Sequence, residues 1–116
     1  MILLPSTVRI FLCTRSTDMR KSFDGLSGLV TEYFRQDLLT GHLFLFLNRR
    51  RDRIKILHFD RDGLVIWCKR LESGSFQMPS SVGDDALELE PAQLAMILSG
   101  IDLKSVRRRK RFRAVG

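Results

Sequence analysis

Cysteine, proline and tryptophan are scarce in this 116-residue chain, at two, three and one, and the scarcity excludes several classes of protein. Two cysteines build neither a disulfide framework nor a multi-cysteine metal knot. Cys13 and Cys68 each sit in an apolar run and read as buried thiols in a reducing compartment. Long apolar runs are also missing. Segments such as Leu43–Leu47 are of strand length, far short of the roughly 20 residues that a membrane span needs. The opening MILLPSTVRIFLCTR has neither a charged leader nor a small-residue cleavage site, so it does not read as a signal peptide. No glycine-rich phosphate loop, nucleophile elbow or internal repeat is visible.

Charge of one sign is missing from two stretches. Residues 104–116 contain seven cations and no acid, and residues 71–103 contain six acids and no cation. Residues 1–70 hold the other 13 cations against 7 acids, and the whole chain carries +7. The sequence therefore divides into a basic body, an acidic segment and a basic tail. A chain of this length can bury about two-thirds of its unfolded surface, enough for one core. The expected organisation is one α+β domain over residues 1–103, followed by a flexible basic tail over 104–116.

Val8 to Cys13 reads as a strand closed by a polar turn. Phe23, Leu26, Leu29, Val30, Tyr33 and Phe34 recur at helical spacing behind a cap at Asp18 or Ser22, and Gly25 and Gly28 within that helix suggest close packing. Leu43–Leu47, Ile54–Phe59 and Leu64–Arg70 follow as three strands, the last two joined through Asp60-Arg61-Asp62-Gly63, a tight-turn sequence. After a Ser/Gly-rich loop, Ala86 to Glu90 alternates as an edge strand does. Pro91 to Gly100 then forms a second helix, with Leu94, Ile97 and Leu98 on its apolar face. The fold class is thus a small, mainly antiparallel sheet with a helix near each end.

The chemistry most strongly represented is phosphate binding. Arg49, Arg50, Arg51 and Arg53 crowd one hairpin tip, with Lys55 beside them on the strand. A guanidinium is permanently charged and presents a planar fork of donors that matches phosphate oxygens. Lys69 and Arg70 extend the candidate surface, although strand alternation puts them on opposite faces and Glu72 is close enough to pair with one of them. Arg15, Arg20 and Lys21 flank the first helix, where an anion is favoured, but surface charge around Asp18 explains them equally well. In the tail, Lys104, Arg107, Arg108, Arg109, Lys110, Arg111 and Arg113 form a sequence-tolerant polycation, with Phe112 available for stacking. Phe44, Phe46, Phe59, Trp67 and Phe76 read as core. His42, His58, Asp60 and Asp62 are the only candidates for metal-dependent nuclease chemistry. The two aspartates fit the turn better, so no catalytic residue, metal or cofactor is assigned.

The blocks DMRKSFDGL at 18–26, GHLFLFLNRRRDRIKIL at 41–57, DRDGLVIW at 60–67 and KRLESGSF at 69–76 resemble the small accessory proteins, often labelled TnpB, of the bacterial insertion sequence 66 group. These are unrelated to the RNA-guided nucleases of the same label. The resemblance spans residues 8 to 101. It departs at Ser16 and near Leu38, where the family pattern has proline, and at Cys68, where it has an aromatic. It implies a helper of transposition beside a separate, larger transposase that carries the strand-transfer chemistry, and the residues themselves add that the helper is non-catalytic and cytoplasmic. DNA, at element ends or target, is the expected partner. The alternative is an adaptor whose acidic 84–90 segment and 91–99 helix dock the transposase or a second copy of the chain.

Overall fold

The apolar pentapeptide Leu43-Phe44-Leu45-Phe46-Leu47 is buried at every position, which requires cover on both faces of the strand it forms. The computed structural model describes residues 7–79 and 83–100. It places this strand, β2 (Leu43–Leu47), at the centre of a five-stranded sheet. The others are β1 (Ile10–Cys13), β3 (Arg53–Asp60), β4 (Gly63–Arg70) and β5 (Ala86–Leu89), in the order β4-β3-β2-β1-β5. β1 and β2 run parallel, joined by a crossover through the first helix as parallel pairing demands, and the remaining pairings are antiparallel.

Alternation along β2 feeds two separate cores. Leu43, Leu45 and Leu47 join Ile10, Leu12, Ile54 and Ile56 beneath helix α2 (Pro91–Ser99) and the buried Phe76. Phe44 and Phe46 turn the other way, to Phe11, Leu57 and helix α1 (Phe23–Leu29). Rings dominate this second core, with Phe34 lying 5.2 Å from Phe44 and 5.8 Å from Phe46, centroid to centroid.

α1 does not continue as one α-helix to Phe34. A wider π-helical turn takes over at Val30–Phe34. Leu26, Val30 and Phe34, all buried, follow one another at four-residue steps. A 3.6-residue period carries such residues progressively round the helix, and the wider turn offsets that drift. Ser22 occupies the cap position without a side-chain hydrogen bond, and Asp18 is bound to Arg20 instead, so neither anticipated side chain caps the helix. Close packing holds at Gly25, where an added Cβ would lie 3.2 Å from the Lys21 side chain. It does not hold at Gly28, which faces open space.

α2 begins and ends where expected, and a capping box not anticipated from the sequence reinforces its start. A reciprocal capping box joins Glu90 and Gln93, Pro91 opens the first turn, and Gly100 closes the helix at φ 80°. Two details differ from expectation. In the β3–β4 turn the positive φ, 51°, falls on Arg61 and not on the Asp-Gly pair. Cys68 is exposed, because the α1 layer reaches Leu64 and Ile66 on β4 but not the position beyond them.

Candidate nucleic-acid interface

Residues 48–52 connect β2 to β3, and Asn48 builds the turn. Its side-chain carbonyl accepts from the backbone N–H groups of Asp52 and Arg53, both at 3.1 Å, and its amide donates to the Asp52 carboxylate at 2.6 Å. The tip is also tied from outside: the N–H of Leu71 donates to the carbonyl of Asp52 and that of Phe76 to the carbonyl of Arg51, each at 2.7 Å. The Asp52 carboxylate is thus bonded to the Asn48 amide and forms no ion pair with the neighbouring arginines. Arg49, Arg50, Arg51 and Arg53 are all exposed, and none has an acid partner among the described residues. Arg51 holds φ 58°, a conformation that costs a residue with a Cβ about 1 kcal/mol or more.

The other cations are used differently. Arg9 pairs with Glu88, Arg15 with Asp85, Arg20 with Asp18, and Arg70 with Glu72. The Arg20 guanidinium holds the Asp18 carboxyl down to about 2. Lys55 reaches from β3 to the carbonyls of Met19 and Lys21, at 2.9 and 2.7 Å, fixing the segment that leads into α1. Lys69 donates to the Leu98 carbonyl at 3.2 Å, at the end of α2 where exposed carbonyls favour a cation. Arg53 and Arg70 stand directly opposite on neighbouring strands, so two guanidiniums share one face above a shallow groove. Arg61 stands at the far end of β3 from the tip.

A larger cleft of about 640 Å³ opens where the parallel strands β1 and β2 end. Arg49 and Arg51 from the tip, Arg15 from the β1–α1 connection, and Asp84 and Asp85 all line it. Arg15 also lies over the ring of Tyr33, 5.2 Å from its centroid, and donates to its hydroxyl. Sequence reasoning placed Arg15 at the helix start and had no means of joining it to the tip; only the parallel pairing does so.

The acids of residues 85–90 are exposed but engaged within the fold. Asp85 holds Arg15, Glu88 holds Arg9, and Glu90 caps α2. His42 accepts from the backbone N–H of Arg9 at 2.9 Å, and burial together with the Arg9 charge lowers its pKa. No group of His, Cys, Asp and Glu suited to a metal occurs among the described residues, and no described helix is long and apolar enough to cross a membrane. Phe44, Phe46 and Phe76 are buried, while Phe59 and Trp67 are half-buried. Lys104, Arg107, Arg108, Arg109, Lys110, Arg111, Phe112 and Arg113 lie outside the described residues.

A family model described as IS66 Orf2 like protein matches residues 8–108. The chain belongs to this family. The match includes Lys104, Arg107 and Arg108, so the IS66 Orf2-like pattern runs past the body into the first cations of the tail. Among similar proteins, the uncharacterized protein y4hO of Sinorhizobium fredii is 40% identical over 102 residues, covering 86% of this chain and 88% of the relative. The uncharacterized protein y4jC of the same organism is 33% identical over 102 residues, covering 88% and 86%. No solved structure matches at a significant level. Membership of an IS66 family ties the chain to insertion-sequence transposition.

Proposed function

We propose that this chain is a DNA-binding accessory factor of transposition. It grips the phosphate backbone at element ends or target with the β2–β3 hairpin tip and the basic tail, and leaves strand transfer to a separate transposase. It acts in the bacterial cytoplasm and performs no bond chemistry of its own. Residues 1–103 supply the folded body, and 104–116 add sequence-tolerant charge. The observation that carries this reading is the contrast among the cations. Four of the guanidiniums are clustered on a braced turn without an acid partner among the described residues, while Arg9, Arg15, Arg20 and Arg70 are paired. An exposed, pre-positioned cluster of arginines suits the oxygens of a phosphate backbone. The adaptor reading draws less support, because Asp85, Glu88 and Glu90 serve the fold and the apolar face of α2 is buried against the sheet.

Fluorescence anisotropy with labelled duplex tests the proposal. Combining Arg49→Gln, Arg50→Gln and Arg51→Gln with removal of residues 104–116 is expected to weaken binding by at least about tenfold at moderate salt. Unchanged affinity in that variant would sink the proposal.

A further inference from the structure

The cleft at the ends of β1 and β2 has a chemistry that a plain backbone grip does not use. In sheets with parallel strands, ligands settle in the crevice beyond the carboxyl ends of those strands, where the chain leaves in different directions. Here β1 leaves toward α1 while β2 turns back into the hairpin. The space, about 640 Å³, lies within the range of small-molecule sites. Its lining is divided by chemistry. Half-buried Met78 offers apolar surface, Arg15, Arg49 and Arg51 offer guanidiniums, and Asp84 offers a carboxylate that has no partner among the described residues. Arg15 lies over the Tyr33 ring and pairs with Asp85.

Resting on the DNA-binding reading above, we infer that this cleft receives a single unpaired nucleotide, so that the protein prefers DNA with a frayed or overhanging strand end to a continuous duplex. A nucleotide carries the three complementary features: an anionic phosphate for Arg49 and Arg51, a planar base for Met78 and the Arg15 guanidinium, and amino hydrogens for Asp84. A paired base inside a duplex presents only its edges and cannot enter. The carboxylate is the telling component, since a surface shaped only for phosphate gains nothing from Asp84 among its arginines.

Binding of the full chain to a blunt duplex and to the same duplex with a short single-stranded overhang decides the matter, using Ser16→Trp and Asp84→Lys as variants. Ser16 lines the cleft from an exposed position, so tryptophan there fills the space and removes no cation. Asp84→Lys adds positive charge, which by electrostatics alone strengthens binding to both DNAs. The expected result is an overhang preference of about tenfold in the parent chain that disappears in both variants, with blunt-duplex affinity retained by Ser16→Trp and retained or raised by Asp84→Lys. Retained blunt binding also reports that the variants are folded. Competition by millimolar deoxyadenosine monophosphate that lowers overhang binding to the blunt level assigns the cleft to nucleotides in general; failure to compete assigns it to a strand end. Equal affinity for the two DNAs in the parent, or a preference that survives Ser16→Trp, overturns the inference and leaves duplex binding standing. No binding to either DNA overturns this inference and the DNA-binding reading together.

Discussion

The hairpin tip at residues 48–53 and the segment at 84–90 are similar in length and opposite in charge, and the fold treats them in opposite ways. Three of the four acids of the second are engaged: Asp85, Glu88 and Glu90 hold Arg15, Arg9 and the start of α2, and Asp84 alone has a carboxylate with no partner among the described residues. The arginines of the first are left free, while uncharged and backbone groups hold their turn together. A fold that needed those arginines for stability would have given them partners. The lesson is that net charge says little about function until the structurally engaged charges are set aside.

Asn48→Ala should break this contrast most severely. It removes the acceptor shared by Asp52 and Arg53 and the donor to Asp52, with an expected loss of about 1–3 kcal/mol in denaturant unfolding and weaker DNA binding from a loosened tip. A change below a few tenths of a kcal/mol would show that the tip does not depend on Asn48. On the acidic side, Glu90→Ala removes half of the capping box and should cost about 1 kcal/mol while DNA affinity stays level. A fall in affinity there would give the acidic segment a part in recognition.

Arg51→Gly separates the two roles at a single residue. Glycine accepts φ 58° without the Cβ penalty, so the melting temperature should hold or rise slightly while DNA binding weakens. A large drop in melting temperature would make Arg51 a structural residue. The smallest effect is the response to acid around Arg9. Burial, then the Arg9 charge, lowers the His42 pKa below 6.5, and the hydrogen bond from Arg9 lowers that of Glu88 below 4.5. A folded-state pKa below the unfolded one stabilises at higher pH. The His42 contribution is therefore complete above about 6.5 and the Glu88 contribution above about 4.5, each lost as pH falls through the lower folded value. Melting curves from pH 8 to 4 should show stability declining in that order, and a flat profile would remove both groups from the account.

Much of the fold was legible because the residues concerned act locally. The 43–47 run, the proline that opens α2 and the stop at Gly100 announce their own structure. What stayed hidden depends on distant partners. The ammonium of Lys55, a candidate DNA contact, is bound to carbonyls 34 and 36 residues away, and that of Lys69 to one 29 residues away. Backbone carbonyls have no signature in sequence. Cys68 lies in an apolar run, but it falls past the reach of α1 on an outer strand, and run composition does not report where a covering helix ends. The cleft was illegible for the same reason: Arg15 meets Arg49 and Arg51 only because β1 inserts parallel to β2 and beside β5.

The most direct test of the unpaired-tip account is the slope of log affinity against log salt for duplex DNA, compared between two triple variants of equal charge loss. One carries Arg49→Gln, Arg50→Gln and Arg51→Gln; the other carries Arg9→Gln, Arg20→Gln and Arg70→Gln, whose guanidiniums are paired with acids. If each tip arginine neutralises one phosphate, the first variant should have a slope shallower by about 2.7, while the second keeps the parent slope. Equal loss of slope in the two variants would contradict the account, because binding would then follow net charge and not the free arginines of the tip.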